Sequence, residues 1–174
     1  DHTPAPSQYR PIIVKGRYLP QIFFLDNQFY QHQIGFNIIL ALELDTRKTL
    51  LVDCGWVPAV NRQLPVYEIP KNVQQLEGYV YYPSAKSLVL GPIIEGQGKN
   101  KYIIERVDIK LISNVLHKSV YPFIIRLQVN SNHLVQNWPV VNMLPQRHYA
   151  YALQWFIMAC IVVIIYFALS IQKI

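Results

Sequence analysis

The chain has 174 residues, a net charge of +6, and 15% charged against 13% aromatic side chains, 12 of them tyrosine. That length suits one domain plus an anchor, and the composition suits a packed, strand-rich domain and excludes a disordered one. The positive charge is spread along the chain without aromatic interleaving, so it reads as solvated surface, and nucleic acid is not expected as a partner.

Residues 1–8 hold two prolines and little apolar surface, and read as a tail or linker. Residues 9–18 predict a strand, with Pro11 near its start and Gly16 as a bulge. A second, short run covers 21–25 and is stopped by the turn residues Asp26 and Asn27. Residues 35–44 and 49–56 are two runs rich in Ile, Leu and Val, joined by Asp45-Thr-Arg-Lys48. They read as a hairpin, and both are too continuous for a half-exposed sheet, so they predict the core pair.

A polar loop follows, with Pro65 and Pro70, and then a strand over 73–82. Residues 87–98, with Gly91-Pro92 and Gly96-Gln-Gly98, predict a surface loop. Residues 102–107 are short and β-prone. Over 108–116, Ile109, Ile112, Val115 and Leu116 recur at helical spacing behind Asp108, a capping residue. Residues 122–129 read as strand, Ser131-Asn132 as a turn, and 135–145 as an extended connection broken by Pro139 and Pro145.

From Tyr149 to Leu169 the chain runs 21 residues without a charge. At ~1.5 Å per residue such a helix is about 31 Å long, enough to cross a hydrocarbon core. Tyr149, Tyr151 and Trp155 cluster at one end, as aromatics do at a headgroup boundary. Arg147 and His148 sit just outside that end and Lys173 just beyond the other. The predicted class is therefore α+β: a mostly antiparallel or barrel-like soluble domain over 9–144 with a short helix, and a C-terminal transmembrane helix and tail over 145–174.

Chemistry-bearing residues are sparse. Cys54 lies in a strand and Cys160 in the span, too far apart to pair, and no Cys-x-x-Cys or His/Cys cluster offers a metal cage. His2, His32, His117 and His133 are scattered without ligand spacing. Trp56, at the end of a core strand, is a packing residue. Cys54 in a buried strand is expected to be inert, and Asp108 is a helix cap before it is an acid. Gln154, the strongly polar residue of the span, suits a hydrogen bond to a neighbouring helix. With no paired carboxylates, nucleophile elbow or phosphate loop, no enzyme activity is expected.

Three blocks resemble one family. Leu50-Leu-Val-Asp-Cys-Gly-Trp-Val-Pro58 is similar to the strand-and-turn block of the Surfeit locus protein 1 family. Tyr102-Ile-Ile-Glu-Arg-Val-Asp108, with the helix after it and Tyr121-Pro-Phe-Ile-Ile-Arg-Leu127, resembles its central block. Pro145-Gln-Arg-His-Tyr-Ala-Tyr-Ala-Leu-Gln-Trp155 resembles the block opening its second membrane helix, and Gly16-Arg-Tyr18 fits its first strand. The resemblance covers about residues 9–169, in order. It departs at Asp53-Cys54, where the family usually has Asn-Arg; a contact made by that Arg to an anionic partner is absent or reversed here.

The resemblance implies a membrane protein that assists assembly of a haem-copper terminal oxidase (cytochrome c oxidase), near delivery or insertion of haem a into the large catalytic subunit. It implies a bacterial or mitochondrial inner membrane, with the domain on the periplasmic or intermembrane side and a first membrane helix ahead of residue 1. The large oxidase subunit, haem a synthase and the lipid bilayer are the partners it suggests. His148 is the family position proposed to touch haem a. A haem a carrier at a membrane boundary calls for a neutral imidazole for the iron and a cation for the propionates. His148 and Arg147 are those candidates, with Ala152, Trp155 and Ala159 near the same helix face. On that view His148 is the metal ligand, Arg147, Ala152 and Trp155 complete a transient cofactor contact, and Trp155 stacks on the ring. Read without the resemblance, His148 and Arg147 are interfacial anchors and the alanines pack on another helix. At the level of the whole chain, the alternative to an assembly factor is a stably bound accessory subunit of a respiratory oxidase complex without cofactor.

Overall fold

The computed structural model describes residues 5–60, 63–84, 91–128, 134–136, 138 and 145–171, with side chains of the last segment from Tyr149 onward. Among these described residues seven strands and two helices follow in the order β1 (Pro11–Tyr30), β2 (Gln33–Leu44), β3 (Thr49–Pro58), β4 (Gln74–Tyr81), β5 (Ile94–Gly96), β6 (Lys101–Ile104), α1 (Ile109–Leu116), β7 (Val120–Leu127) and α2 (Pro145–Ile171). The predicted class holds: a mixed, mostly antiparallel sheet with one short helix, then a C-terminal apolar helix.

The sheet closes on itself. β1 pairs with β2, β2 with β3, β3 with β7, β7 with β4, and β4 again with β1. All these pairs are antiparallel except β3–β7. Following partners around the ring, Pro11 meets Tyr79, then Arg126, Asp53, Ile39 and finally Phe23. The circuit returns to β1 far along from where it left. A five-stranded barrel with that much stagger has steeply tilted strands, which is why β1 must be 20 residues long. Its first part serves β4 and its later part serves β2. The free side of the later part takes β6 in parallel, and β6 carries β5.

Burial explains the apolar runs. Phe36, Ile38, Leu40 and Leu42 of β2 point into the barrel with Leu50, Val52 and Cys54 of β3 and Phe123, Ile125 and Leu127 of β7. The alternate residues Ile39, Ala41, Leu51 and Ile124 face outward, but Ile104 and Val107 and the Ile112–Leu116 side of α1 cover them. Both faces of the β2–β3 hairpin are therefore dry, so alternation is lost from its sequence. The predicted core pair and its Asp45–Lys48 connection are as observed, with the Leu44 N–H donating to Lys48 O at 3.0 Å. The barrel interior is filled and is no channel. Ala59, Leu64, Tyr67 and Ile69, from the loop after β3, pack against it.

Helix α1 forms where its spacing places it. Asp108 caps it, Oδ1 accepting from the N–H groups of Lys110 and Leu111 at 3.1 and 3.2 Å. His117 ends it in the left-handed conformation.

Three local expectations change. The runs 9–18 and 21–25 are one strand, not two. Irregularities between Tyr18 and Ile22 and between Leu25 and Gln28 absorb Pro20 and the Asp26-Asn27 turn signal without ending the pairing. Gly16 is no bulge: it keeps register with both Leu44 and Gln74. Its hydrogen side lies against the backbone carbonyl of Glu43, which leaves no room for a Cβ. Within the predicted loop 87–98, Ile94–Gly96 is a short edge strand. The Ser131-Asn132 turn and most of the 135–145 connection lie outside the described residues, as does the tail before residue 5.

Two compact units divide the chain, residues 1–137 and 138–174. The barrel belongs to the first and α2 to the second.

Candidate functional site

The predicted haem-contact residues all lie on α2. Pro145 opens this helix, as its fixed φ and missing N–H allow in a first turn. Arg147 and His148 fall in that turn, but their side chains lie outside the described residues. Ala152 and Trp155 follow at four and seven residues, so helical geometry puts them on the face that starts at His148. Ala152 is exposed and Trp155 is 69% exposed. The stretch Tyr149–Ile171 is long and apolar enough to cross a membrane, and none of it is buried within the chain. Cys160 is exposed on the same helix and unpaired with Cys54.

The second constellation is in the barrel, at Asp53-Cys54-Gly55-Trp56. Asp53 is 1% exposed. Asn37 Nδ2 donates to its Oδ1 and Oδ2 at 3.2 and 3.1 Å. Arg126 Nε stands 3.8 Å from Oδ2, and the Arg126 guanidinium lies 3.5 Å above the Tyr81 ring. Burial pushes the Asp53 carboxyl up to about 7; the Arg126 charge, Asn37 and the Gly55 N–H oppose it only in part. The sheet thus holds one dry carboxylate beside one cation. Sequence reasoning noted Asp53 and missed Asn37 and Arg126. The available signal was a polar residue interrupting each of two apolar runs, Phe36-Asn37-Ile38 and Ile125-Arg126-Leu127.

Cys54 faces the barrel interior, its Sγ 3.7 Å from Val52 O and near Tyr18 and Tyr67. Burial pushes its thiol well above the usual range, with Asp53 adding to the effect, so the reactive thiolate is suppressed. Burial likewise raises the Tyr18 phenol. The expectation of an inert cysteine agrees with this setting. Trp56 is 7% exposed; its Nε1 donates to Gln28 O at 3.1 Å and its ring tilts on Tyr30 at 5.3 Å. Packing is its observed role.

Gly55 and Gly35 make room for what crosses here. Gly55 has φ +132, and a Cβ on it would come 2.9 Å from Leu134 Cβ. A Cβ on Gly35 would meet the Trp56 indole at 2.5 Å. Residues 134–136 return to lie on the end of β3. Val135 exchanges backbone hydrogen bonds with Trp56 at 2.8 and 2.9 Å, and Gln136 Nε2 donates to Cys54 O at 3.2 Å. Among the described residues no group of three or more His, Cys, Asp or Glu side chains is placed to hold a metal.

The model of the SURF1 family matches residues 1–160, which takes in the whole barrel and the start of the apolar helix. The chain belongs to the SURF1 family. SURF1 proteins are cytochrome oxidase assembly factors, and the resemblance read from the three sequence blocks is borne out. No curated protein matches this chain significantly. In this SURF1 protein the Asp53-Cys54 pair puts a carboxylate against Arg126 on one side of β3 and a thiol inside the barrel on the other.

Proposed function

We propose that this SURF1 protein is a membrane-anchored factor that helps place haem a in the large catalytic subunit of a haem-copper oxidase, without catalysing a covalent step. The observation that carries the reading is the family match running through Pro145-Gln-Arg-His148 into a helix long and apolar enough to cross a membrane. Haem a is the cargo, with propionates that belong in water and an isoprenoid tail that belongs in lipid. A carrier at the boundary between the two meets both needs. His148, neutral, takes the iron; Arg147 takes a propionate through charge-assisted hydrogen bonds; Ala152 admits the ring and Trp155 stacks on it. The large subunit receives the cargo and haem a synthase supplies it. The inner membrane is the site, with the barrel on its periplasmic or intermembrane side.

The test is optical. Purify the full-length protein from cells that make haem a, and compare wild type with His148→Ala. Loss or displacement of the haem absorption bands is expected, and an identical haem spectrum in the variant rejects the ligand role. The assembly role has its own readout: recovery with assembly intermediates is expected, whereas fixed stoichiometry with the mature oxidase would mark a permanent subunit.

A further inference from the structure

The two ends of the barrel differ in charge. At the β2–β3 turn, Arg17, Glu43, Asp45, Arg47 and Lys118 line a depression of about 480 Å³. At the other end of β2 the β1–β2 hairpin turns through Gln31 and His32, both at positive φ. Residues 27–42 carry no Lys, Arg, Asp or Glu, and neither do 54–60 nor 134–136, which adjoin this end. Here Phe29 is 71% and Val60 is 67% exposed. They stand on a braced frame. Trp56 holds Gln28 O, Tyr30 leans on Trp56, and the Ala59 N–H donates to Ile34 O at 3.1 Å. The nearest described charges stand at its base, where Asp26 Oδ1 accepts from the Asn27 N–H at 2.7 Å and Glu105 Oε2 accepts from Asn27 Nδ2 at 3.1 Å. An apolar aromatic kept in water on a braced tip, beyond those carboxylates, is a poor design for solvent and a good one for a lipid boundary.

The chain's own course names the occupant. Val135 is hydrogen-bonded to Trp56 at this end, and the apolar helix begins at Pro145. Eight residues separate Gln136 from Pro145, so even fully extended that connection reaches roughly 30 Å. We propose that the hairpin tip that carries Phe29, together with Val60 across β2, inserts into the headgroup–acyl boundary of the bilayer that the apolar helix crosses. The inference rests on that helix being a membrane span and not on haem delivery. With no Lys or Arg among the described residues of the tip, their insertion does not need anionic lipid and persists in high salt.

The experiment uses the full chain in phosphatidylcholine vesicles containing lipid with a quencher near the headgroup. A Cys160→Ser background leaves only Cys54, which is buried. An environment-sensitive dye is placed at Gln33→Cys on the tip, or at Asp45→Cys at the far end of β2. Native Cys160, near the middle of the span, is labelled in a separate sample whose vesicles carry the quencher at the acyl-chain ends, and reports insertion of the helix. Quenching at the tip at least about twofold above that at position 45 is expected, unchanged in 0.5 M salt, and falling to the position-45 level when Phe29→Ser is added. Equal quenching at the two positions with Cys160 quenched overturns the tip insertion and leaves the anchor standing. No quenching at Cys160 overturns both. Quenching that persists undiminished in Phe29→Ser also overturns the proposal, since Phe29 is then not the inserting group.

Discussion

Residues 35–42 of β2 and the body of α2 are both near-continuous apolar runs, and they end in opposite surroundings. All of 35–42 is buried, whereas every residue from 149 to 169 is exposed. The strand run is eight residues long, and two layers of the same domain dry both of its faces. The helix run is too long, and apolar on too many sides, for one small barrel to cover it. So many exposed apolar side chains do not persist in water, and they require a bilayer or a partner. Apolar sequence alone therefore does not say where it is buried; length and period decide that.

The sharpest way to break the comparison is to truncate one large ring in each element. Phe24→Ala, inside the barrel and fully buried, is expected to cost about 3–5 kcal/mol. Phe156→Ala, 67% exposed on the helix, is expected to shift the same transition by under ~0.5 kcal/mol. Chemical denaturation of the full chain in detergent measures both, and equal losses would mean that α2 packs like a core element. A charge reverses the ranking of the two regions. Ile161→Arg, near the middle of the span, should oppose insertion by about 2.5–3.5 kcal/mol and shift the protein out of the alkali-resistant membrane fraction. The barrel's near-ultraviolet circular dichroism should stay unchanged.

A smaller, conditional effect sharpens the barrel side. Asp53 has its folded pKa raised from 3.8 to about 7, so between those values the folded state keeps a proton that the unfolded chain has released. Its contribution to stability is fully present below pH ~4, is lost as pH rises to about 7, and is flat above. Asp53→Asn does not titrate. The stability of wild type relative to Asp53→Asn should therefore be greatest near pH 4 and fall towards pH 7; a difference that does not vary with pH would place the carboxylate outside a dry setting. The smallest effect is expected at the cap of α1. Asp108→Ala should cost ~1 kcal/mol, read as a lower melting temperature with the barrel intact. No loss would mean that packing of Ile112 and Leu116 alone holds the helix.

The helix that carries the proposed contacts was legible, and for identifiable reasons. The span, its aromatic end and the Arg147-His148 pair are read from one uninterrupted stretch, because a membrane helix satisfies its own backbone locally. The β2–β3 hairpin and α1 are likewise local, fixed by a four-residue turn and by a cap with helical spacing. Asp53 was visible as an oddity, but its partners were not. Asn37 and Arg126 reach it only because β2 and β7 flank β3, and that adjacency is a matter of tertiary pairing. The β5 strand, Ile94-Glu95-Gly96, is too short to show any period.

What the sequence by itself determined was the long apolar helix, the core hairpin, the capped helix and the family, all of which depend on residues close together in the chain. What only the tertiary structure decided was closure: that β1 runs unbroken past Pro20 and Asn27, that β7 lies parallel to β3, and that residues 134–136 fold back onto Trp56. These are contacts between residues far apart in sequence. Their register is set by which side chains dry one another across the barrel, and no local propensity records that choice.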